Sequence, residues 1–278
     1  MQASISASTR TGGRHVGAVT AGVLLAAFAA APVAHAVAGA AAAQESSQLT
    51  NAVTQTVTGT RVAVNVCEFT STLTLAPGRA AIQEDVLAVD DATCTATVQR
   101  GTPAVIAPES DIATDPRETV SNGTLAPGST AVASARRPRA RAAATAHSIG
   151  YHKSYFEDPP GIDVNSVRNT VDWRWNGTTV SNGLCSANYG WFSGSGWSRV
   201  AHNFFCRYED SQRKLRSSSF AHYRNGIFCL TIDAHTYYER NNAYGRRDGY
   251  LIGTVNWRKE GGCVGLLSFH HFLRRTLN

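Results

Sequence analysis

The 278 residues carry 26 Lys and Arg against 20 Asp and Glu, a formal net charge of +6, and 43% of positions are hydrophobic. The six Cys are an even number at long, irregular gaps without a Cys-x-x-Cys pair, which argues against zinc or thiol chemistry and for a disulfide framework in an oxidising compartment. The basic excess comes with no nucleic-acid motif, so no specific nucleic-acid partner is expected.

The first 36 residues read as a secretory signal peptide. Arg10 and Arg14 give a positive n-region, Val16 to Ala34 is uncharged, and Ala34-His35-Ala36 supplies a small-x-small cleavage pattern. The rival reading is an uncleaved membrane anchor, because those 19 uncharged residues nearly span a bilayer. No later segment is long or apolar enough to span. The expected location is therefore extracellular, with a membrane contact only through an uncleaved signal.

Residues 37–58 are rich in Ala, Gln, Ser and Thr and read as a disordered tether. Residues 59–103 read as a small β module. Val62, Val64 and Val66 alternate as in a half-buried strand, Pro77-Gly78 and Asp90-Asp91 mark turns, and Thr93–Gln99 is strand-like; Ala80–Val89 fits a helix or a strand. Residues 104–146, with Pro108, Pro116, Pro127, Pro138 and the run Arg136, Arg137, Arg139, Arg141, read as a linker.

Residues 147–278 read as a larger antiparallel β-sandwich or barrel. All five Trp, all nine Tyr and eight of the ten Phe lie at or after Tyr151, so this segment is expected to hold a complete core of its own. Thr170–Trp175, Asn176-Gly177 and Thr178–Val180 predict a hairpin with a type I′ turn. Ser218–Tyr223, Asn225-Gly226 and Ile227–Thr236 predict a second. Gly249–Trp257 and Cys263–Leu273 follow as strands, the last as a strand or short helix. The fold class is thus all-β, a small disulfide-stapled module before a larger sandwich or barrel. Pairing neighbouring Cys respects that boundary: Cys67–Cys94, Cys185–Cys206 and Cys229–Cys263. Each such loop stabilises by about 3–4 kcal/mol in the chain-entropy view.

Cys67-Glu-Phe-Thr-Ser-Thr-Leu-Thr-Leu-Ala-Pro-Gly78, Thr93-Cys94 and Gly101-Thr-Pro103 resemble the N-terminal region of secreted actinobacterial proteins of unknown function. Tyr155-Phe-Glu-Asp-Pro-Pro-Gly-Ile-Asp-Val-Asn165 and the Trp-Asn-Gly hairpin share the resemblance. It implies export and the two-part layout, and assigns no functional residue.

Ser181–Trp197 reads as a binding loop, with Tyr189, Trp191, Phe192 and Trp197 interleaved with Gly, Ser and Asn, a composition suited to ligand contact. Trp173 and Trp175 share a face with Val171 and read as core. His222, His235 and Asp233 could serve a hydrolase, yet Gly-x-Ser-x-Gly and His-Glu-x-x-His are both absent. Asp158, Asp163 and Asn165 could bind calcium but read as turn formers. No catalytic residue, metal or cofactor is assigned. The leading expectation is a non-catalytic secreted binding or surface-interaction protein of unassigned ligand, with cell-wall or extracellular polysaccharide as one candidate. The alternatives are a secreted hydrolase and a basic nuclease or toxin-like domain restrained by the acidic module. Residues 37–133 hold four Arg against ten acids and residues 147–278 hold 16 basic against ten acidic, so contact between the two is a further expectation.

Overall fold

Alternating apolar and polar residues recur through the chain, and the molecule answers them with strands. The structure is a computed structural model describing residues 49–104, 120–122, 145–159 and 161–277. The expected signal peptide, tether residues 37–48 and most of the linker, including Arg136–Arg141, lie outside the described residues.

In chain order the strands are β1 (Leu49–Thr58), β2 (Thr60–Ala63), β3 (Val66–Leu75), β4 (Ala81–Asp90), β5 (Thr95–Pro103), β6 (Val120–Asn122) and β7 (Ala146–Glu157). There follow β8 (Asp163–Trp175), β9 (Val180–Trp191), β10 (Trp197–Glu209), β11 (Lys214–Asn225), β12 (Ala234–Arg246), β13 (Leu251–Gly261) and β14 (Ser268–Leu277). Sheet A runs β1-β5-β4-β14-β7-β8-β9-β6 and sheet B runs β10-β11-β12-β13-β3-β2, each antiparallel throughout. Their inner faces pack together as a sandwich, the all-β class that the alternation predicts.

The inner faces carry two apolar layers. One holds Phe69, Leu87, Phe156, Val167, Tyr238, Trp257 and Phe269; the other holds Leu73, Val171, Trp173, Leu215, Leu251 and Leu273. Between them nearly every strand turns polar for one inward position. The belt runs Arg100 (β5), Asp85 (β4), Ser71 (β3), His271 (β14), His152 and Ser154 (β7), Asn241 (β12), Asn169 (β8), and Ser217 and Ser219 (β11). Within sheet B, β13 places Gly253 at this level between β12 and β3, for lack of room. A Cβ there would lie 2.7 Å from the His152 ring and 2.8 Å from Leu273.

The belt is hydrogen-bonded along its length. Asn169 donates to Ser217 at 3.0 Å and Ser219 at 2.8 Å, Asn241 donates to Asn169 at 2.9 Å, and Ser154 donates to Asn241 at 2.7 Å. Arg100 clamps Asp85 through two nitrogens at 2.8 and 2.7 Å. Buried polar groups are tolerated only when paired in this way.

The division into two modules is corrected by these pairings. β3 pairs with β13 in sheet B and β4 pairs with β14 in sheet A, so residues 59–103 contribute strands to both sheets of the larger body. Phe69, the single aromatic of that segment, stacks on Trp257 at 4.9 Å. The tether expectation fails over residues 49–58, which form β1. β1 and β2 are one extended run that changes sheets at Gly59, where a Cβ would lie 2.8 Å from the Phe69 ring. Within the expected linker, residues 120–122 form β6 beside β9, and β7 already begins at Ala146.

Smaller corrections have local causes. Val62 is exposed on the edge strand β2, and Val64 is exposed in the turn between β2 and β3. Ala80–Val89 resolves as strand β4. The hairpin at Asn176 closes through four residues, with the Asn176 side chain accepting from Thr178 and Thr179 backbone N–H groups at 2.9 and 2.8 Å. That side chain does the work a tight type I′ turn would have done. Residues 227–233 form a loop rather than the start of a strand. Cys229–Cys263 ties this loop to the β13–β14 connection, Cys185–Cys206 links β9 of sheet A to β10 of sheet B, and Cys67–Cys94 links β3 of sheet B to the β4–β5 turn of sheet A; the three Cα separations are 5.5–5.8 Å.

A fragment beginning at His147 would lose β3 from the side of β13 and β4 from the side of β14. We expect it to lack a cooperative thermal transition, whereas the chain from residue 37 onward should show one. A comparable transition in the fragment, followed by circular dichroism, would show that the later strands close a core by themselves.

Candidate functional site

The outer face of sheet B is bent by a bulge in β12. Ser219 pairs with Asn241 and Ala221 with Tyr238, so Glu239 and Arg240 together stand opposite Phe220. The same two residues break the register towards β13, between Tyr238 and Arg240. A bulge of this kind re-aims side chains and opens the ladder locally. Here it opens a cleft of about 310 Å³ lined by Asn203, Phe205 and Arg207 of β10, Arg216, Ser218, Ser219 and Phe220 of β11, and Glu239 and Arg240 of β12. Period-two alternation brings Asn203, Phe205 and Arg207 to this face together.

Three arginines meet one glutamate in the lining, and they differ in freedom. Arg216 donates to Asn242 at 3.0 Å and to Glu209 at 3.1 Å, and lies 5.0 Å from the Phe205 ring centre. Arg207 donates to the same Glu209 oxygen at 2.9 Å and lies 5.2 Å from the same ring. Burial works to raise the Glu209 carboxyl, but hydrogen bonds from Arg207 and Arg216 outweigh it and hold the group below its ordinary value. Glu239 is taken by Arg258 at 3.0 Å. Arg240 is exposed and has no ion-pair or hydrogen-bond partner among the described residues. The cleft thus offers one uncompensated guanidinium, two that are positioned, hydroxyl and amide groups from Ser218 and Asn203, and an aromatic ring.

The aromatic residues expected to form a binding loop do not gather on an open face. Ser181–Trp191 is strand β9, and its alternation sends Tyr189 inward beside Ala187 and Cys185. Tyr189 is fully buried and donates to the Asn203 carbonyl at 2.7 Å. Trp197 opens β10 and is buried against Phe228, 6.0 Å between ring centres. Trp191 is half-buried against the core with Arg199 5.2 Å from its ring, and Phe192 is half-buried at the turn. Of the Gly residues that suggest a flexible loop, Gly183 is a close-packing position, where a Cβ would lie 2.7 Å from Leu215, while Gly194 and Gly196 lie in the short turn between β9 and β10.

His222 and His235 do meet. Their Nε2 and Nδ1 atoms are 2.9 Å apart, and Tyr237 is stacked between His222 at 4.2 Å and the Arg258 guanidinium at 3.6 Å. Burial and the hydrogen bond to Glu260 push the Tyr237 hydroxyl up to about 12. Asp233 does not join the pair; it accepts from Arg224 at 2.8 Å. The oxygen set considered for calcium is also dispersed. Asn165 accepts from Tyr238 and Thr236, Asp163 pairs with Lys153, and Asp158 accepts from the Ile162 N–H.

Ser71, His271 and Asp85 bring together the residue types of a nucleophilic triad, unforeseen from their sequence positions. The geometry is different. Ser71 Oγ and Asp85 both face His271 Nε2, at 2.9 and 3.5 Å, while Nδ1, which a triad carboxylate would hold, meets His152 Nε2 at 2.9 Å. Both imidazoles are fully buried. His152 Nδ1 faces the Asn242 carbonyl at 2.9 Å and must donate to it. His152 Nε2 then accepts from His271 Nδ1. Ser71 Oγ lies 2.9 Å from His271 Nε2 and 3.4 Å from the Asp85 carboxylate, and its single proton serves one of them. Burial is the main cause holding both imidazoles below their ordinary value, well below it for His152.

Of the acidic segment, the described strands β3, β4 and β5 are members of the sheets, and Asp85 is buried against Arg100. No protein-family pattern, curated protein or solved structure matches this chain.

The buried imidazoles carry a sign. In the unfolded chain both take protons near pH 6.5, while in the folded chain they resist, so the unfolded state binds more protons as pH falls and stability drops. The loss should begin near pH 6.5 and reach at most about 1.4 kcal/mol per pH unit for each ring. Asp85, whose carboxyl is held down by Arg100 and His271 against the opposing effect of burial, adds a loss of the same sign only below its ordinary 3.8. Urea midpoints at pH 7.5 and 5.5 measure this. Equal midpoints would mean that the pair is already protonated in the fold.

Proposed function

We propose that this chain is an exported binding protein whose cleft on the outer face of sheet B takes an acidic extracellular or cell-wall polysaccharide. The observation that carries the reading is Arg240, an unpaired guanidinium turned out by the β12 bulge beside the 37% exposed Phe205 ring. A guanidinium matches carboxylate or phosphate bidentately. Phe205, Ser218 and Asn203 add an apolar surface and neutral hydrogen-bonding groups for the sugar between charges. The one carboxylate in the lining is held by Arg258, so the cleft presents donors rather than an acid–base pair. Three disulfides suit an oxidising extracellular setting, and the signal-like first 36 residues supply the route.

Co-sedimentation or calorimetry with a polyuronate, a phosphate-bearing wall polymer and a neutral glucan tests this. We expect binding to an anionic polymer and not to the neutral one, fading as salt rises. Arg240→Ala should weaken it roughly tenfold or more, since a hydrogen bond to a charged group contributes about 1.5–3 kcal/mol. Trp191→Ala should leave affinity unchanged and lower stability, because Trp191 packs on the core. Unchanged affinity in Arg240→Ala would remove the cleft from the account.

A further inference from the structure

The two sheets end in four edge strands, and three are protected. β6 has three residues and β2 has four. β10 carries Arg199, Arg207 and Glu209 and is broken by a bulge between Arg199 and Ala201. Short edges, charges and bulges are the ordinary defences against pairing with another chain. β1 differs. Its ten residues, Leu-Thr-Asn-Ala-Val-Thr-Gln-Thr-Val-Thr, contain no charge, no Pro and no Gly. Its irregularity is confined to Thr50–Val53, and from Val53 to Thr58 it pairs with β5 in unbroken register. Its other side pairs with no strand among the described residues.

We infer that β1 is a homodimerisation edge, on which a second copy of this chain adds antiparallel about a two-fold axis at Gln55. The sequence supplies the reason: Val53-Thr54-Gln55-Thr56-Val57 reads the same in both directions. Two-fold antiparallel pairing centred on Gln55 sets Val53 against Val57 of the second copy, Thr54 against its Thr56, and Gln55 against itself. Val–Val and Thr–Thr pairs are favourable cross-strand neighbours, and no like charges meet. Val53, Gln55 and Val57 lie opposite the inward Arg100, Val98 and Ala96 of β5, so they share the inner face. Val57 is already partly covered by the core, while Val53 is 67% exposed and gains a partner only from the second copy. The added strand also satisfies the backbone N–H and C=O groups on the open side of β1. An isologous pairing of this kind uses up both edges and stops at two. It joins two eight-stranded sheets and is independent of the sheet B cleft.

Sedimentation equilibrium on the purified protein from micromolar to millimolar concentration tests the inference. The expected result is a monomer–dimer equilibrium, with twice the monomer mass at the high end. Gln55→Lys places two ammonium groups face to face, and Gln55→Glu two carboxylates; each variant alone should stay monomeric. Because Gln55 is exposed, their thermal midpoints should match the parent. Mixed one to one, Gln55→Lys and Gln55→Glu should regain the dimer mass, which unfolding could not produce. A parent that is monomeric throughout, assemblies larger than two, or a Gln55→Lys variant that dimerises like the parent would each overturn the proposal.

Discussion

The polar chain from Arg100 through Asp85, Ser71, His271 and His152 to the backbone of Asn242 crosses the sandwich at mid-core and ties the two sheets together. Asn169, Asn241, Ser154, Ser217 and Ser219 continue it on the far side. Such a belt contributes little net stability, because its members gave up water to reach it. Its force is in what it forbids. Removing one member leaves its neighbours buried and unpaired at about 1–3 kcal/mol each, against a total of about 5–15 kcal/mol for a domain. A one-residue slip would turn a whole strand over; a two-residue slip would keep the apolar face but carry polar groups into an apolar layer. The belt therefore sets the register of strands whose Val, Leu and Phe positions alone would accept neighbouring alignments.

The belt also explains why the first hundred residues cannot be set aside. Ser71, Asp85 and Arg100 come from β3, β4 and β5, and His152 and His271 come from strands that follow much later in the chain. Asp85 has no exposed surface, and Arg100, Ser71 and His271 face its carboxylate. Part of the acidic character of the early segment is thus spent in the interior. The sheet change at Gly59 belongs to the same arrangement: the chain finishes one edge of sheet A and one edge of sheet B with a single run.

Much of this fold is legible in the residues. Val171 and Trp173 alternate onto the inner face, Asn176 ends β8, and the neighbour pairing of the six Cys matches the three bridges. Other features are hidden for physical reasons. Counting aromatics locates the densest part of the core but not its limits, because Leu73, Leu87 and Phe69 fill their share with few rings. Gly183 imitates a loop, since close packing and flexibility ask for the same residue. Tyr189 and Trp197 then look like ligand contacts when they are core. The belt is invisible to a local pattern: an inward Ser, Asn or His has the same spacing as its apolar neighbours, and only long-range pairing shows what it meets. The cleft is hidden for a related reason. Arg240 becomes outward-facing through a bulge, and no single residue type announces one.

Chemistry on this scaffold is limited by what the fold has already engaged. The inner faces are filled, and the buried imidazoles and Asp85 have their partners. On the outer face of sheet A, Tyr155 donates to Glu84 at 3.0 Å and stacks on His270 at 4.8 Å, while Lys153 pairs with Asp163. On sheet B the stack of His222, Tyr237 and Arg258 is closed by Glu239 and Glu260. In these groups the regular ladder sets outward side chains beside cross-strand neighbours that neutralise one another. A bulge breaks that matching, because two residues share one opposite position. At β12 the pair is Glu239 and Arg240. Glu239 finds Arg258, and the extra residue keeps its charge. The charge we propose for recognition therefore sits where pairing is interrupted, beside the lining aromatic and hydroxyl groups of β10 and β11.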